Sequence, residues 1–286
     1  MIEQVHQEHP EMAIEKLCEL MGVSRSWYYE RPSATEKKAK EDVALQDAIE
    51  RIVLGFPGYG YRRVSAALRR EGWAVNRKRV LRIMREESLL CQLKRRFVPT
   101  TDSAHAFGRY PNLIKATRIN ELDQAWIADI TYIRLPTTFC YLAAILDAYS
   151  RRCVGWHLSR FIDTRLTPSA LEMALATRSP AVGLIHHSDQ GVQYASSEYV
   201  LRLEEAGALI SMAAVGNPYE NAQVESFFRT LKMEEVYIKD YRDFEEAQEN
   251  IAQFIEEVYN QKRLHSSLGY LPPVEFEARH ALEVRS

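Results

Sequence analysis

Residues 125–135 read AWIADITYIRL, an apolar run of β-branched and aromatic residues with one carboxylate, Asp129, set in its middle. The composition predicts a strand. Asp is depleted in strand interiors, because its short polar side chain competes with the ladder for backbone hydrogen bonds. Downstream, FCYLAAILDAY (139–149) predicts a second strand, and CVGWHLS (153–159) predicts a third after the turn at Tyr149 to Arg152. A helix is expected from about Thr167 to Arg178, with Pro168 at its first position. VGLIHHSD (182–189) reads as a buried strand, Ser196 to Gly207 as a Ser-capped helix and ALISMAA (208–214) as a fifth strand. A last helix is expected from about Tyr219 to Val236. Three strands followed by alternating helices and strands predict an α/β layer on a mixed five-stranded sheet.

The region before this layer is helical and basic. Ile14, Leu17, Cys18 and Met21 recur at helical spacing up to Gly22. Ser24 is a cap for a short second helix through Trp27 and Tyr28 that ends before Pro32. Residues 33–42 read as a linker or an exposed helix. The stretch FPGYGYRRVSAALRREGWAVNRKRVLRIMREESLL (56–90) is more specific. It predicts a helix with Val64, Ala67 and Leu68 inside, a stop at Gly72, and an Asn76 cap on a second helix facing Val80, Leu81, Ile83 and Met84 inward. Two helices joined by a Gly-containing turn form a helix-turn-helix, whose second helix enters the DNA major groove. That helix carries Arg77, Lys78, Arg79, Arg82 and Arg85; Arg62 and Arg63 lie on the first.

The charge is unevenly distributed. The 286 residues sum to −2, yet Arg51 to Phe97 holds thirteen Lys or Arg against three acids, a local +10 that leaves −12 elsewhere. Such a segment is an electrostatic footprint for phosphate. Hydrophobic residues at 46% and charged residues at 27% give an ordinary globular composition rather than a disordered one. No leader pattern opens the sequence, and no apolar run is long enough to cross a bilayer. The expectation is therefore a cytoplasmic protein with no membrane partner. Cys18, Cys91, Cys140 and Cys153 are scattered, and the pair His6 and His9 has no further close ligands, so neither a disulfide framework nor a structural zinc is expected.

Three carboxylates carry the chemistry. Asp129 interrupts a strand, and Asp189 ends one at a Gly-containing loop, where α/β sheets commonly place their sites. Glu225 lies on the last helix of the layer. Asn221, Arg229 and Lys232 fall within about 40° of Glu225 around that helix, with Val224, Phe228 and Leu231 on the adjoining apolar face. Singly, each acid has an ordinary explanation as a cap, a turn former or half of a Glu225–Arg229 pair. Together, with 35 residues between Asp189 and Glu225, they form a set of hard oxygen donors suited to Mg²⁺ or Mn²⁺. Two such ions clamp the attacking and leaving oxygens of an in-line displacement at phosphorus.

This order resembles the D,D(35)E triad of retroviral integrases and many bacterial transposases. YGYRRVSAAL, WIADITYI, LDAYSRRCVGW, HHSDQGVQY, GNPYENAQVESFFRTLK and YNQKRLHSSLGYLPP together resemble the second-frame (B) product of the bacterial insertion sequence 3 family over residues 50 to 275. Glu220 stands where that family often has Asp. The resemblance implies a ribonuclease-H-like catalytic core, with Asp129, Asp189 and Glu225 holding two divalent metal ions. It implies DNA cleavage at the element's terminal inverted repeats, followed by attack of the freed 3′-OH on target DNA. It also implies multimers on paired ends and an upstream-frame partner. Lys232 resembles the family's basic residue near the active site. The expected division is 1–45, a helical helix-turn-helix-like region; 46–98, the basic helix-turn-helix; 99–117, a linker; 118–236, the catalytic core; and 237–286, a helical extension. Expected DNA contacts are Arg62, Arg63, Asn76, Arg77, Lys78, Arg79, Arg82, Arg229, Lys232 and Arg263. Expected supports of the site are His187, Gln193, Tyr194, Asn221, Asn260 and His265.

Two other readings are a nuclease of the same fold and a DNA-binding regulator that has lost catalysis. The rival carboxylate is Asp147, read as structural. Asp129→Asn should abolish metal-dependent DNA cleavage; loss on Asp147→Asn, with full cleavage kept by Asp129→Asn, would reverse the two assignments.

Overall fold

The computed structural model describes residues 2–91, 110–213 and 221–283. Most of the expected linker 99–117 and the start of the last expected helix, Tyr219 and Glu220, lie outside these residues.

Five strands form one mixed sheet: β1 (Ala125–Arg134), β2 (Phe139–Asp147), β3 (Cys153–Ser159), β4 (Ile185–Ser188) and β5 (Leu209–Met212), in the order β3-β2-β1-β4-β5. β1, β2 and β3 form an antiparallel meander. β4 pairs parallel with β1, and β5 parallel with β4. The two faces of β1 separate by parity, as a strand's pleat requires. Ala125, Ile127 and Ile133 join a core layer with Val224, Phe227 and Phe228 of α8 (Ala222–Leu231). Trp126 and Ala128 join the opposite layer with Leu166, Ala170 and Ala174 of α6 (Leu166–Arg178) and with Tyr199 and Leu203 of α7 (Ser197–Glu205).

All five expected strands are present, though β4 keeps only Ile185–Ser188 of the expected 182–189, and two helices differ in their bounds. α6 begins at Leu166, so Pro168 is its third residue, and the Asp163 carboxylate accepts from the N–H groups of Arg165 and Leu166. A proline is tolerated there because the first-turn N–H groups have no helical acceptor. The short helix expected to end before Pro32 instead continues as α3 (Arg25–Gly55), through Pro32 and across the expected boundary at 45/46. Residues 33–42 are rich in Ala, Lys and Glu, strong helix formers that carry the helix on. Beyond them Leu45, Ala48, Ile49 and Ile52 are buried.

α3 packs on α4 (Tyr61–Arg70) and α5 (Arg77–Glu86) around Val64, Leu68, Val80, Ile83 and Met84. Gly72 takes φ 90° after α4, letting Trp73 N–H reach back to the Leu68 carbonyl at 2.9 Å. Asn76 caps α5 by accepting from Lys78 N–H at 2.8 Å. Ahead of this unit, α1 (Ile2–Glu8), α2 (Ile14–Leu20) and the start of α3 share a small cluster around Leu17 and Cys18. There His6 is bonded to the Met12 carbonyl and His9 to Glu11.

The C-terminal region forms α9 (Phe244–Gln253) and α10 (Pro273–Glu283) and ties the parts together. Glu277 of α10 accepts from Ser150 Oγ at 2.7 Å, Arg152 at 2.7 Å and Arg178 at 2.9 Å. Burial opposes its charge, but those donors hold its carboxyl below the usual range. Asp147 is fully buried, accepting from the backbone N–H groups of Asp123, Tyr149 and Ser150, so it shapes the β2–β3 turn.

Gly155 marks the tightest contact of sheet and helix: a Cβ there would stand 2.2 Å from the Ala170 carbonyl oxygen and 2.7 Å from the Ala174 Cβ. Gly155→Ala must push α6 off β3 and should cost roughly 1–3 kcal/mol of stability, read from the midpoint of urea unfolding.

Candidate active site

Asp129 and Asp189 meet because β1 and β4 are parallel neighbours. Their last matched pair is Ala128 with Ser188, so the two acids each follow it by one residue, at the same level of the sheet. Adjacent strands lie about 4.8 Å apart, which brings the two carboxylates into each other's field. On its other side Asp129 is paired with Ala144, small and apolar. By parity Asp129 points to the face covered by α8, the helix that bears Glu225. Val224, Phe227, Phe228 and Leu231 bury one side of α8 and leave Glu225 exposed at its margin. The alternative i,i+4 pairing is not made, since Arg229 reaches Ser226 Oγ at 3.4 Å.

The electrostatics report this convergence. The Asp129 carboxyl is held well above the usual carboxylate range, first by burial, then by the Asp189 charge, with Glu225 adding to it. The Ile130 N–H, which donates to Asp129 Oδ1 at 2.7 Å, and Lys232 act the other way. Asp189 Oδ1 accepts from Gly191 N–H at 2.9 Å. A Cβ on Gly191 would fall 2.9 Å from that same oxygen, so glycine is what permits the turn. No group of three His, Cys, Asp or Glu side chains among the described residues is assembled into a metal cage.

Lys232 stands where α8 passes into a π-helical turn, Lys232–Val236, closed by the bond from Tyr237 N–H to the Lys232 carbonyl at 2.8 Å. Its ammonium lies over the Tyr132 ring, 4.4 Å from the centroid. Burial lowers its pKa, and Asp129 draws it back up.

The remaining expected residues divide by exposure. Arg62, Asn76, Arg77, Lys78 and Arg82 are exposed; Arg82 pairs with Glu86 at 2.7 Å, and Arg79 is half-buried against Asp42, 3.0 Å from its Nε. Arg63 faces inward, donating to the Leu264 carbonyl at 3.1 Å and stacking on Tyr59. Arg263 corrects the expectation of a DNA contact: its side chain is 4% exposed and grips Glu234 through two bonds of 2.8 and 2.7 Å. Asn260 accepts from Cys153 N–H and donates to the Cys153 carbonyl, each at 3.0 Å, pinning the start of β3. His265 is buried edge-on against Tyr259, and burial with Arg263 and Arg63 lowers its pKa to about 3. These two support the fold around the core rather than the acids. His187 is buried on β4, its Nδ1 2.8 Å from Ser211 Oγ, which also accepts from Leu113 N–H. Gln193 and Tyr194 lie on the turn after Asp189, and Asn221 is buried at the start of α8.

Sequence reasoning missed Tyr59 and Glu234. The Tyr59 hydroxyl accepts from Leu264 N–H at 2.7 Å, and Gly58 is crowded by Glu234, whose Cγ would be 2.4 Å from an added Cβ. Gly58 was a signal of close approach, but not of what approaches.

Family models match two parts of the chain. One described as an integrase core domain matches residues 120–218, a second of the same description matches 206–273, and an HTH-like domain matches 40–97. An integrase core domain together with an HTH-like domain defines the class, a DDE-type polynucleotidyl transferase. The insertion element IS600 31 kDa protein of Shigella sonnei is 37% identical over 92% of this chain and 98% of its own length. The transposase for insertion sequence element IS904 of Lactococcus lactis is 37% identical over 87% of this chain and 98% of its own. Transposase InsF for insertion sequence IS3A of Escherichia coli is 31% identical over 96% and 98%. The chain belongs to the insertion sequence 3 family of transposases. Among the described residues no helix is long and apolar enough to cross a membrane.

A raised carboxyl makes a stability prediction with a definite sign. Asp129 is costly to the folded state when ionised, so without divalent ions the cost is absent below the unfolded pKa of about 3.9 and grows as pH rises above it. Asp129→Asn should therefore melt higher than wild type at neutral pH in a chelator. The gap should close as pH falls toward 4.

Proposed function

We propose that Asp129, Asp189 and Glu225 hold two Mg²⁺ or Mn²⁺ ions and catalyse transfer of element ends into DNA. The observation that carries this is the parallel pairing of β1 with β4, which leads Asp129 and Asp189 off neighbouring strands, with the Asp129 carboxyl pushed up first by burial and then by Asp189 and Glu225. Three oxygen donors with mutually repelling charges suit hard divalent cations. Bound there, such ions neutralise charge on the phosphoryl group and lower the pKa of the attacking hydroxyl.

The chain's own residues supply position. Asp129 is fixed by a strand bonded on both sides, and Asp189 by its bond from Gly191. Glu225, exposed on α8, closes the set from the side open to substrate. Lys232 and Arg229 present cations for the phosphates flanking the scissile bond. The exposed Arg62, Arg77, Lys78 and Arg82, with the Asn76 cap, bind the terminal inverted repeat, α5 lying in the major groove. Water first attacks the phosphodiester at the element end, and its P–O bond breaks to release a 3′-OH. That 3′-OH then attacks a target phosphodiester in the same site, so strand exchange needs no ATP and no covalent enzyme intermediate. Residues 46–98 serve end binding and 118–236 catalysis. The protein works in the bacterial cytoplasm as a multimer on paired ends, with the upstream-frame product as partner.

The test is incubation with Mg²⁺ and the terminal inverted repeats of its own element. Glu225→Gln should reduce cleavage by at least about a hundredfold while end binding stays near wild type. Pre-cleaved ends should yield joined products with wild type; cleavage without joining would assign a simple nuclease.

A further inference from the structure

Lys232 is a half-buried cation that no acid neutralises by contact. Its Nζ makes no hydrogen bond or ion pair with any described residue, and it stands over the Tyr132 ring, 4.4 Å from the centroid. The acids of its own turn are committed elsewhere. Glu234 is bonded to Arg263 at 2.7 and 2.8 Å. Glu235 lies 3.2 Å from Lys239 Nζ and accepts from the Tyr241 hydroxyl at 3.1 Å. Those bonds fix the backbone from which Lys232 leaves α8. They do not fix the end of its flexible four-carbon stem.

Tyr132 follows Asp129 by three residues on β1. β1 is matched to β4 only as far as Ala128 with Ser188, so among the described residues no strand covers the β4-side edge of β1 at Tyr132. The ring is held in place by its strand, where Tyr132 pairs with Tyr141 of β2, and by Phe139, edge-on with centroids 5.6 Å apart. The face of an aromatic ring attracts an ammonium within about 6 Å of its centroid through the ring quadrupole. Unlike a carboxylate, it neither cancels the charge nor takes up the N–H donors of the lysine.

We propose that Tyr132 is a positioning residue for strand cleavage: its ring face fixes where the Lys232 ammonium stands, leaving charge and donors free for a phosphate flanking the scissile bond. A carboxylate in place of the ring would tie the lysine up. A small aliphatic side chain would leave the stem unordered, and its entropy would then be lost when phosphate binds. This rests on the reading of Lys232 as a phosphate contact.

The experiment compares Tyr132→Phe, Tyr132→Leu, Lys232→Ala and the double variant Tyr132→Leu/Lys232→Ala in the full-length protein. Single-turnover cleavage of the inverted-repeat DNA is measured with Mg²⁺, and end binding is measured in a chelator. Lys232→Ala should cleave at least about tenfold more slowly, having lost a charge-assisted contact. Tyr132→Phe keeps the ring and should cleave within about twofold of wild type. Tyr132→Leu should cleave about fivefold to tenfold more slowly with end binding within about twofold, because the aim of the cation is lost and the helix-turn-helix is not. In the Lys232→Ala background Tyr132→Leu should slow cleavage no further, since two residues that act through one contact do not add. An equal loss from Tyr132→Leu in both backgrounds, as a damaged fold would give, overturns the proposal. So does wild-type cleavage by Tyr132→Leu, or a Tyr132→Phe variant as slow as Tyr132→Leu. Wild-type cleavage by Lys232→Ala would instead refute the reading of Lys232 itself.

Discussion

Two carboxylates at one level of neighbouring parallel strands are the constraint on which this molecule turns. β1 and β4 bring Asp129 and Asp189 together, and the apolar packing on both faces keeps water from screening them fully. Like charges in a partly desolvated place oppose ionisation, which is why the Asp129 carboxyl is pushed up. The sheet must be rigid enough to hold that repulsion. The bonds of β1 to both neighbours, the close approach of β3 to α6 at Gly155 and the Asp147 turn all serve that rigidity. A cation bound at the proposed site would relieve that repulsion.

The C-terminal region holds the basic helices against the catalytic layer. Leu264 belongs to the same apolar cluster as Val64 and Met84, and its backbone is bonded on both sides, to Tyr59 and to Arg63. Arg263 and Glu234 sit beneath this contact as a buried pair, and Arg70 with Glu275 closes its rim at 3.3 and 2.5 Å. A buried ion pair of this kind is a weak source of net stability, but removing one partner leaves an uncompensated charge. Its geometry thus sets where the helix-turn-helix stands relative to the core. The π-helical turn after α8 contributes directly, because i→i+5 bonding changes the direction in which Lys232 and Glu234 leave the helix axis. Lys232 is left near Asp129, and Glu234 turns to Arg263.

The strands, both helix-turn-helix helices and the Asn76 and Ser196 caps were legible from local chemistry alone. Strand and helix periodicity, turn residues and capping oxygens all act over a few residues, so the sequence carries them openly. The three acids were legible as a set through their order and the 35-residue gap, and through resemblance. The roles of individual cations were not. Arg63 and Arg263 read as DNA contacts because an Arg next to another cation has no local mark of burial, whereas Arg77 and Lys78 stay exposed as expected. Pro32 read as a helix stop, and the strong helix formers after it prevailed.

The sequence by itself determined the elements of the sheet, the basic character of residues 51–97 and which oxygen donors exist to bind a cation. Only the tertiary structure decided that Asp129 and Asp189 stand level, that Glu225 escapes Arg229, and that Arg263 turns inward to Glu234. The physical reason is distance along the chain. Strand register across a parallel crossover, and the pairing of charges more than twenty residues apart, are fixed by packing that no local pattern encodes.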